Sequence, residues 1–212
     1  MFSSNRVLKD FFNPLTLLLA VALIMLCYCY FDRPLVDWLY SLDLRDRFPL
    51  LTWVTQLGNF GIDLLLFFVA ALFFRYVYVN SLWEERAWFL WLCVALSNVV
   101  CGVLKVILGR ARPDLWLQLH EYGFSWLTTD SSHMSFPSGH TTTIMSVAFG
   151  FSVIFPRFWP LFVLGGILVA LSRVLLLQHY LSDVLVAIVL TLLVVTSLVA
   201  VLRKKKWLSR IC

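Results

Sequence analysis

Residues 172–206 read SRVLLLQHYLSDVLVAIVLTLLVVTSLVAVLRKKK. Between Asp183 and Arg203 no charged side chain occurs, and about 20 mostly apolar residues cross the hydrocarbon of a bilayer as a helix. The run is continuous and does not alternate, which excludes a barrel strand. Arg203 to Lys206 form a basic flank. Ser172, Arg173, His179 and Asp183 are different, because ionisable groups persist in or beside a span only where they pair or work.

Five more stretches have the same character, and together the spans fall at 14–31, 59–79, 86–109, 139–155, 158–177 and 182–202. The expected fold class is all-α, an integral membrane bundle of six transmembrane helices in a single domain, 1–212. Composition requires a lipid solvent, since 61% of the 212 residues are hydrophobic and only 14% charged, more apolar surface than a soluble domain of this length can hide. The net charge of +5 accompanies no soluble basic module with interleaved aromatic residues, so no nucleic-acid partner is expected. Cys27, Cys29, Cys93 and Cys101 lie in apolar runs and no pair has CxxC spacing, which argues against a zinc or redox site. Arg6 and Lys9 precede an apolar run, but Met25 to Tyr30 offer no small-residue cleavage site, so the segment reads as an uncleaved first span.

Lysine and arginine placement sets the orientation. With the N-terminus inside, that side carries Arg6, Lys9, Arg75, Arg86, Arg157, Arg203, Lys204, Lys205, Lys206 and Arg210. The other side carries Arg33, Arg45, Arg47, Lys105, Arg110, Arg112 and Arg173. Both termini inside is the better fit. Leu35, Val36, Trp38, Leu39 and Leu42 recur at helical spacing, which suggests a short interfacial helix within 32–49. Trp116, Tyr122, Phe124 and Trp126 give the segment 110–138 the composition of an aromatic belt or a substrate lid.

Alternating spans bring three polar clusters to one membrane face: Lys105 to Pro113, Pro137 to His140, and Ser172 to Asp183. Three fixed cations, two imidazoles and a carboxylate suit phosphate: cations neutralise its oxygens, one histidine attacks phosphorus and another protonates the leaving oxygen. Lys105 and Arg112 are two helical turns apart, so on one helix they share a side about 10 Å apart. Arg110 points elsewhere on such a helix and reads as an interfacial arginine. Ser138 and Gly139 open the fourth span at a helix N-terminus, where free N–H groups cradle phosphate. Asp183, four residues after His179, can fix the tautomer that leaves the other imidazole nitrogen free. Arg173 and His179 would lie about 120° apart on a continuous helix, so a break is expected near Gln178–Leu181. Ser182 is a candidate cap for the last helix. His120 and His133 read as solvated loop residues, and no metal ligand set or two-metal carboxylate pair is evident.

The three clusters, KVILGRARP (105–113), PSGH (137–140) and SRVLLLQHYLSD (172–183), resemble the signature of the type 2 phosphatidic acid phosphatase (PAP2) superfamily. The resemblance implies a phosphohistidine on His179 with Asp183 as its partner. His140 would serve as acid and then base, and Lys105, Arg112, Ser138, Gly139 and Arg173 would hold phosphate. Many members have glycine two residues before the nucleophile and proline two after it, where this chain has Leu177 and Leu181. The expected function is a bacterial inner-membrane phosphatase, its site facing the periplasm. It would act without metal or cofactor on a lipid phosphate or diphosphate of the undecaprenyl diphosphate, phosphatidylglycerol phosphate or lipid A class. A lipid phosphotransferase shares the covalent intermediate and remains open at this stage. A non-enzymatic lipid-phosphate binder or transporter would need the cations but not the two histidines and the aspartate.

Overall fold

A computed structural model describes residues 13–205 and 207; Arg6, Lys9, Lys206, Arg210 and Cys212 lie outside the described residues. The described chain is helical, and its only bridges are two isolated ones that Arg110 makes with Phe124 and Met134.

Helix α1 spans Pro14–Leu42. Asn13 caps it by accepting from Leu15 N at 3.1 Å, and Pro14 occupies the first helical position, where a missing N–H costs nothing. A π-helical turn at Cys27–Phe31 precedes Pro34 and lets the helix pass the proline, whose ring would otherwise press on the carbonyl four residues back. The separate interfacial helix expected within 32–49 is therefore replaced by a continuation of α1. Its apolar face meets protein instead of lipid headgroups: Leu39 clusters with Ala170, Val174 and Val184, flanked by Leu35 and Leu42. Trp38 alone of that set faces outward. Asp43, in left-handed backbone at φ 49°, ends the helix.

A short α2, Leu44–Arg47, leads to α3, Pro49–Thr55, and a 3₁₀ turn at Gln56–Gly58. Helix α4, Phe60–Tyr76, starts at an Asn59 cap that accepts from Gly61 N and Ile62 N, and the pair meets at a 50° bend. Gly58 makes this elbow possible, since a Cβ there would lie 2.7 Å from the carbonyl oxygen of His140.

Helices α5, Ser81–Leu108, α6, Pro113–Leu119, α7, Gly139–Ile154, α8, Trp159–Leu175, and α9, Leu181–Lys204, complete the bundle. Helix α7 is central and packs against α4, α5, α8 and α9. Phe89, Leu90, Cys93, Val94, Ile154, Val195 and Val199 form the principal core. Cys27, Cys93 and Cys101 are buried free thiols. Leu18, Leu65, Val99, Leu164 and Leu168 point outward, as side chains do where lipid is the solvent.

Among the described residues four helices, α1, α5, α8 with its preceding turn, and α9, are long and apolar enough to cross a membrane, and the bent α3–α4 pair makes a fifth. The stretch read as a fourth span, 139–155, is a helix of 16 residues. The expected break after α8 is present and runs from Leu176 to Tyr180.

Candidate active site

The end of α5 is held by the segment that follows it. A helix leaves its last carbonyls without intrahelical donors; here Thr128 N, Leu127 N and Trp126 N donate to Val106, Ile107 and Leu108 oxygens at 3.1, 3.0 and 3.2 Å. Gly109, at φ 48°, turns the chain so closely under Thr128 that a Cβ would lie 2.3 Å from Thr128 Cγ2. Residues 110–112 then run extended, so Lys105 and Arg112 do not share a helical face as the spacing suggested. They meet through the folded loop instead. Lys105 Nζ donates to Met134 O at 2.6 Å and Arg112 Nε to Ser131 O at 2.9 Å.

Helix α7 opens beside Lys105, whose Cε lies 3.6 Å from where a Gly139 Cβ would stand. Ser138 is fully buried, and its hydroxyl caps α7 by accepting from Thr141 N at 3.5 Å while also accepting from Thr141 Oγ1 at 3.0 Å. Its N–H donates to Asp183 O at 3.3 Å, which ties α7 to α9. His140 is half-buried on the first turn of α7, within the fields of Arg173, Lys105 and Arg112.

The break between α8 and α9 presents His179. Its Nδ1 donates to Ser135 O at 2.8 Å. A carbonyl only accepts, so Nδ1 carries the proton and Nε2 keeps its lone pair. Asp183 lies 3.8 Å from Nδ1, too far for a direct hydrogen bond. The direct carboxylate contact expected from the four-residue spacing is thus replaced by a relay: Ser135 Oγ donates to Asp183 Oδ2 at 2.6 Å, and the Ser135 carbonyl receives His179. Asp183 Oδ2 also accepts from Tyr180 N at 3.0 Å. Tyr180, not Ser182, is the residue at the cap position of α9. Burial holds the His179 imidazole well below the usual histidine range, and the neighbouring Lys105 and Arg173 charges push the same way. Burial thus favours the neutral ring, the form a nucleophile needs.

Arg173, 8% exposed, donates from Nη1 to Thr55 Oγ1 at 2.9 Å. Its Nε is buried with no partner among the described residues. A buried guanidinium with an unmet donor beside two histidines and two further cations is a site prepared for an anion.

Arg110 is fully buried, contrary to the interfacial position expected for it. It forms ion pairs with Asp183 and with Asp32, the latter at 2.8 Å. Burial alone would weaken its charge, but Asp183, Tyr122 and Asp32 overcome that and hold its proton more firmly than usual. The sequence reading also passed over Asp32, Ser135 and Thr55. A charge at the end of the first apolar run was the available signal for Asp32; its partners lie 78 and 150 residues away.

His133 is not a free loop residue: its Nε2 lies 2.8 Å from Glu121 and its Nδ1 3.2 Å from Asp130. His120 remains exposed. Among the described residues no three His, Cys, Asp or Glu side chains converge on a metal-sized site.

The sequence model of the PAP2 superfamily matches residues 86–207. A lipid A 1-phosphatase of Rhizobium etli is 38% identical over 100 residues, which cover 46% of this chain and 42% of that protein. One from Rhizobium johnstonii is 37% identical over 100 residues, 46% of this chain and 40% of its own. The match thus spans less than half the length of either curated relative. No solved structure matches. The matched region contains all three polar clusters, whose residues converge at one end of the bundle, and the chain belongs to the PAP2 superfamily.

Proposed function

We propose that the protein is a bacterial membrane phosphatase that removes phosphate from a lipid phosphate or diphosphate through a phosphohistidine on His179. The observation that carries this reading is the commitment of Nδ1 to the Ser135 carbonyl, which leaves Nε2 bare within the field of Arg173, whose own Nε is buried without a partner among the described residues. Nε2 attacks phosphorus, the bond from phosphorus to the lipid oxygen breaks, and His140, which the negative charge of the bound phosphate helps to protonate against the three neighbouring cations, delivers the proton that this oxygen needs. His140 then takes a proton from water, and the resulting hydroxide attacks phosphorus and displaces His179. Lys105, Arg112 and Arg173 neutralise the oxygens of the transferring group, and the Gly139 end of α7 contributes its free N–H groups. Ser138 shapes that end as its cap, and Asp183 orients His179 through Ser135.

We take the five candidate spans, with the 16-residue α7 as a further crossing and both termini inside, in one domain; on that topology the site would lie at the periplasmic headgroup level of the inner membrane. A lipid's tails stay in the bilayer while its phosphate enters. The name of the two relatives puts a lipid A phosphate first among substrates, ahead of undecaprenyl diphosphate and phosphatidylglycerol phosphate.

The test is phosphate release by purified protein in detergent from these three lipids and from glucose 6-phosphate, with excess EDTA present. At least one lipid should give a kcat/KM well above the sugar phosphate's. His179→Ala should lose roughly 10³-fold or more while still binding vanadate. Activity of His179→Ala within a few-fold of wild type would remove the nucleophile assignment, and release from no lipid would remove the activity.

A further inference from the structure

Asp32 lies outside the family-matched region, yet it is 1% exposed and sits in the same buried cluster as Asp183. The fully buried guanidinium of Arg110 joins the two. From Nη1 it donates to Asp183 Oδ1 and, at 2.8 Å, to Ser182 Oγ; from Nη2 it donates to Asp32 Oδ2 and Tyr122 Oη, both at 2.8 Å. Asp32 in turn accepts from Ser182 N at 3.0 Å and from the Ser182 hydroxyl. Tyr122 Oη donates to Tyr28 O at 2.6 Å, and the ring of Tyr180 covers the guanidinium at 4.3 Å from its centroid. Burying a charge this completely is tolerable only with near-complete pairing. Here one cation is shared between two carboxylates from opposite ends of the chain.

The geometry points to Arg110 and Asp32 as positioning residues for the nucleophile, a role that rests on the phosphatase reading of the same site. Arg110 acts on Ser135 twice. Its carbonyl accepts from Ser135 N at 3.0 Å, and its guanidinium fixes Asp183, whose other oxygen receives the Ser135 hydroxyl at 2.6 Å. Ser135 is thereby clamped at both its N–H and its side chain, and its carbonyl is left pointing at His179 Nδ1. Asp32 sets the guanidinium by taking its second nitrogen. Without Asp32, Nη2 retains only the Tyr122 hydroxyl, and the guanidinium can tilt away from Asp183. Helix α1 therefore contributes to the proposed chemistry by setting an imidazole tautomer at a distance, without touching substrate.

The test uses full-length protein labelled with ¹⁵N-histidine, in detergent at pH 7.5. In wild type, the signal that His179→Gln removes should show a protonated Nδ1 and a bare Nε2. Asp32→Asn should turn it into a mixture of tautomers. Counted per vanadate-binding site, kcat on the lipid substrate should fall roughly 10–100-fold, the range typical for groups that orient a working imidazole through others. KM should change less than about threefold, because Lys105, Arg112 and Arg173 are untouched. In an Asp183→Asn background the same substitution should cost less than about twofold, since both act along one path. Should Asp32→Asn fail to bind vanadate at all, Ser182→Ala decides by the same readings; it removes one partner of Arg110 without unpairing a charge. An unchanged His179 signal, or a kcat loss that multiplies in full in the Asp183→Asn background, would overturn the positioning role. Failure of the phosphatase reading looks different: wild type would release no phosphate while the tautomer signature still responded to Asp32→Asn.

Discussion

Leu177 lies two residues before His179 and holds φ at +56°, a conformation that costs an ordinary side chain about 1–2 kcal/mol. This is the position at which many superfamily members carry glycine, and the strain explains why: the chain must reverse there to leave α8 and present the imidazole. Leu181, where proline is common, opens α9 at the first helical position, which leucine also fills without difficulty. Leu177 offsets its backbone cost by packing against the cluster of Leu39, Ala170, Val174 and Val184, worth about 1–2 kcal/mol for a partly buried leucine. The two effects nearly cancel. Leu177→Gly should therefore shift the midpoint of thermal unfolding by only a few degrees. Leu177→Ile, β-branched at the same φ, should lower it clearly more; equal midpoints for the two variants would contradict this account. At the same scale, the residues that bind one another across the chain were the least legible. His179, Asp183, Lys105, Arg112 and Arg173 stand out because charges interrupt apolar runs. Arg110 stood in the same motif, but its burial depends on Asp32, 78 residues earlier, and no local spacing encodes that pairing.

The segment after α5 is a fixed element. Its strand-like edge satisfies the α5 carbonyls, Trp116 Nε1 donates to Asp37 at 2.8 Å, and the His133 ring ties Glu121 to Asp130. The hydrogen bond to Glu121, aided by Asp130, raises the His133 pKa above its ordinary value. A raised folded-state value means this tie contributes fully below about pH 6.5, the unfolded histidine value. It weakens as pH rises through the higher folded value. Limited proteolysis of residues 119–134 should accordingly be slow at pH 6 and faster near pH 8.5, and His133→Gln should show the fast rate at both. A pH-independent rate in wild type would remove the tie from the loop's stability. Apolar periodicity located the helices well, because lipid demands long uninterrupted runs: α4, α7, α8 and α9 fall within a few residues of the expected spans. It failed where hydrogen bonding decides. The passage of α1 beyond Pro34 depends on a π turn, and the exit from α5 depends on backbone donors some 20 residues downstream.

Across the whole molecule, the burial of Arg110 sharpens the argument for orientation. As a cation neutralised by Asp32 and Asp183 it exerts little pull on topology, and the motif cations Lys105, Arg112 and Arg173 are held in the site. That leaves Arg33, Arg45 and Arg47 at the end of the bundle that carries the site. At the other end lie Arg75, Arg86, Arg157, Arg203, Lys204 and Lys205, and the sequence adds Arg6, Lys9, Lys206 and Arg210 to that side of the charge count. Cytoplasmic flanks attract the lysines and arginines, so the site end should face the periplasm. Leu119, at the end of α6, is 67% exposed and makes a suitable reporter. In an otherwise cysteine-free variant, Leu119→Cys should react with an impermeant maleimide in intact spheroplasts, whereas Lys205→Cys should react only after lysis. The reverse pattern would put the site in the cytoplasm, where the inner leaflet offers a different set of lipid phosphates, and the periplasmic assignment would fall while the arrangement around His179 stood.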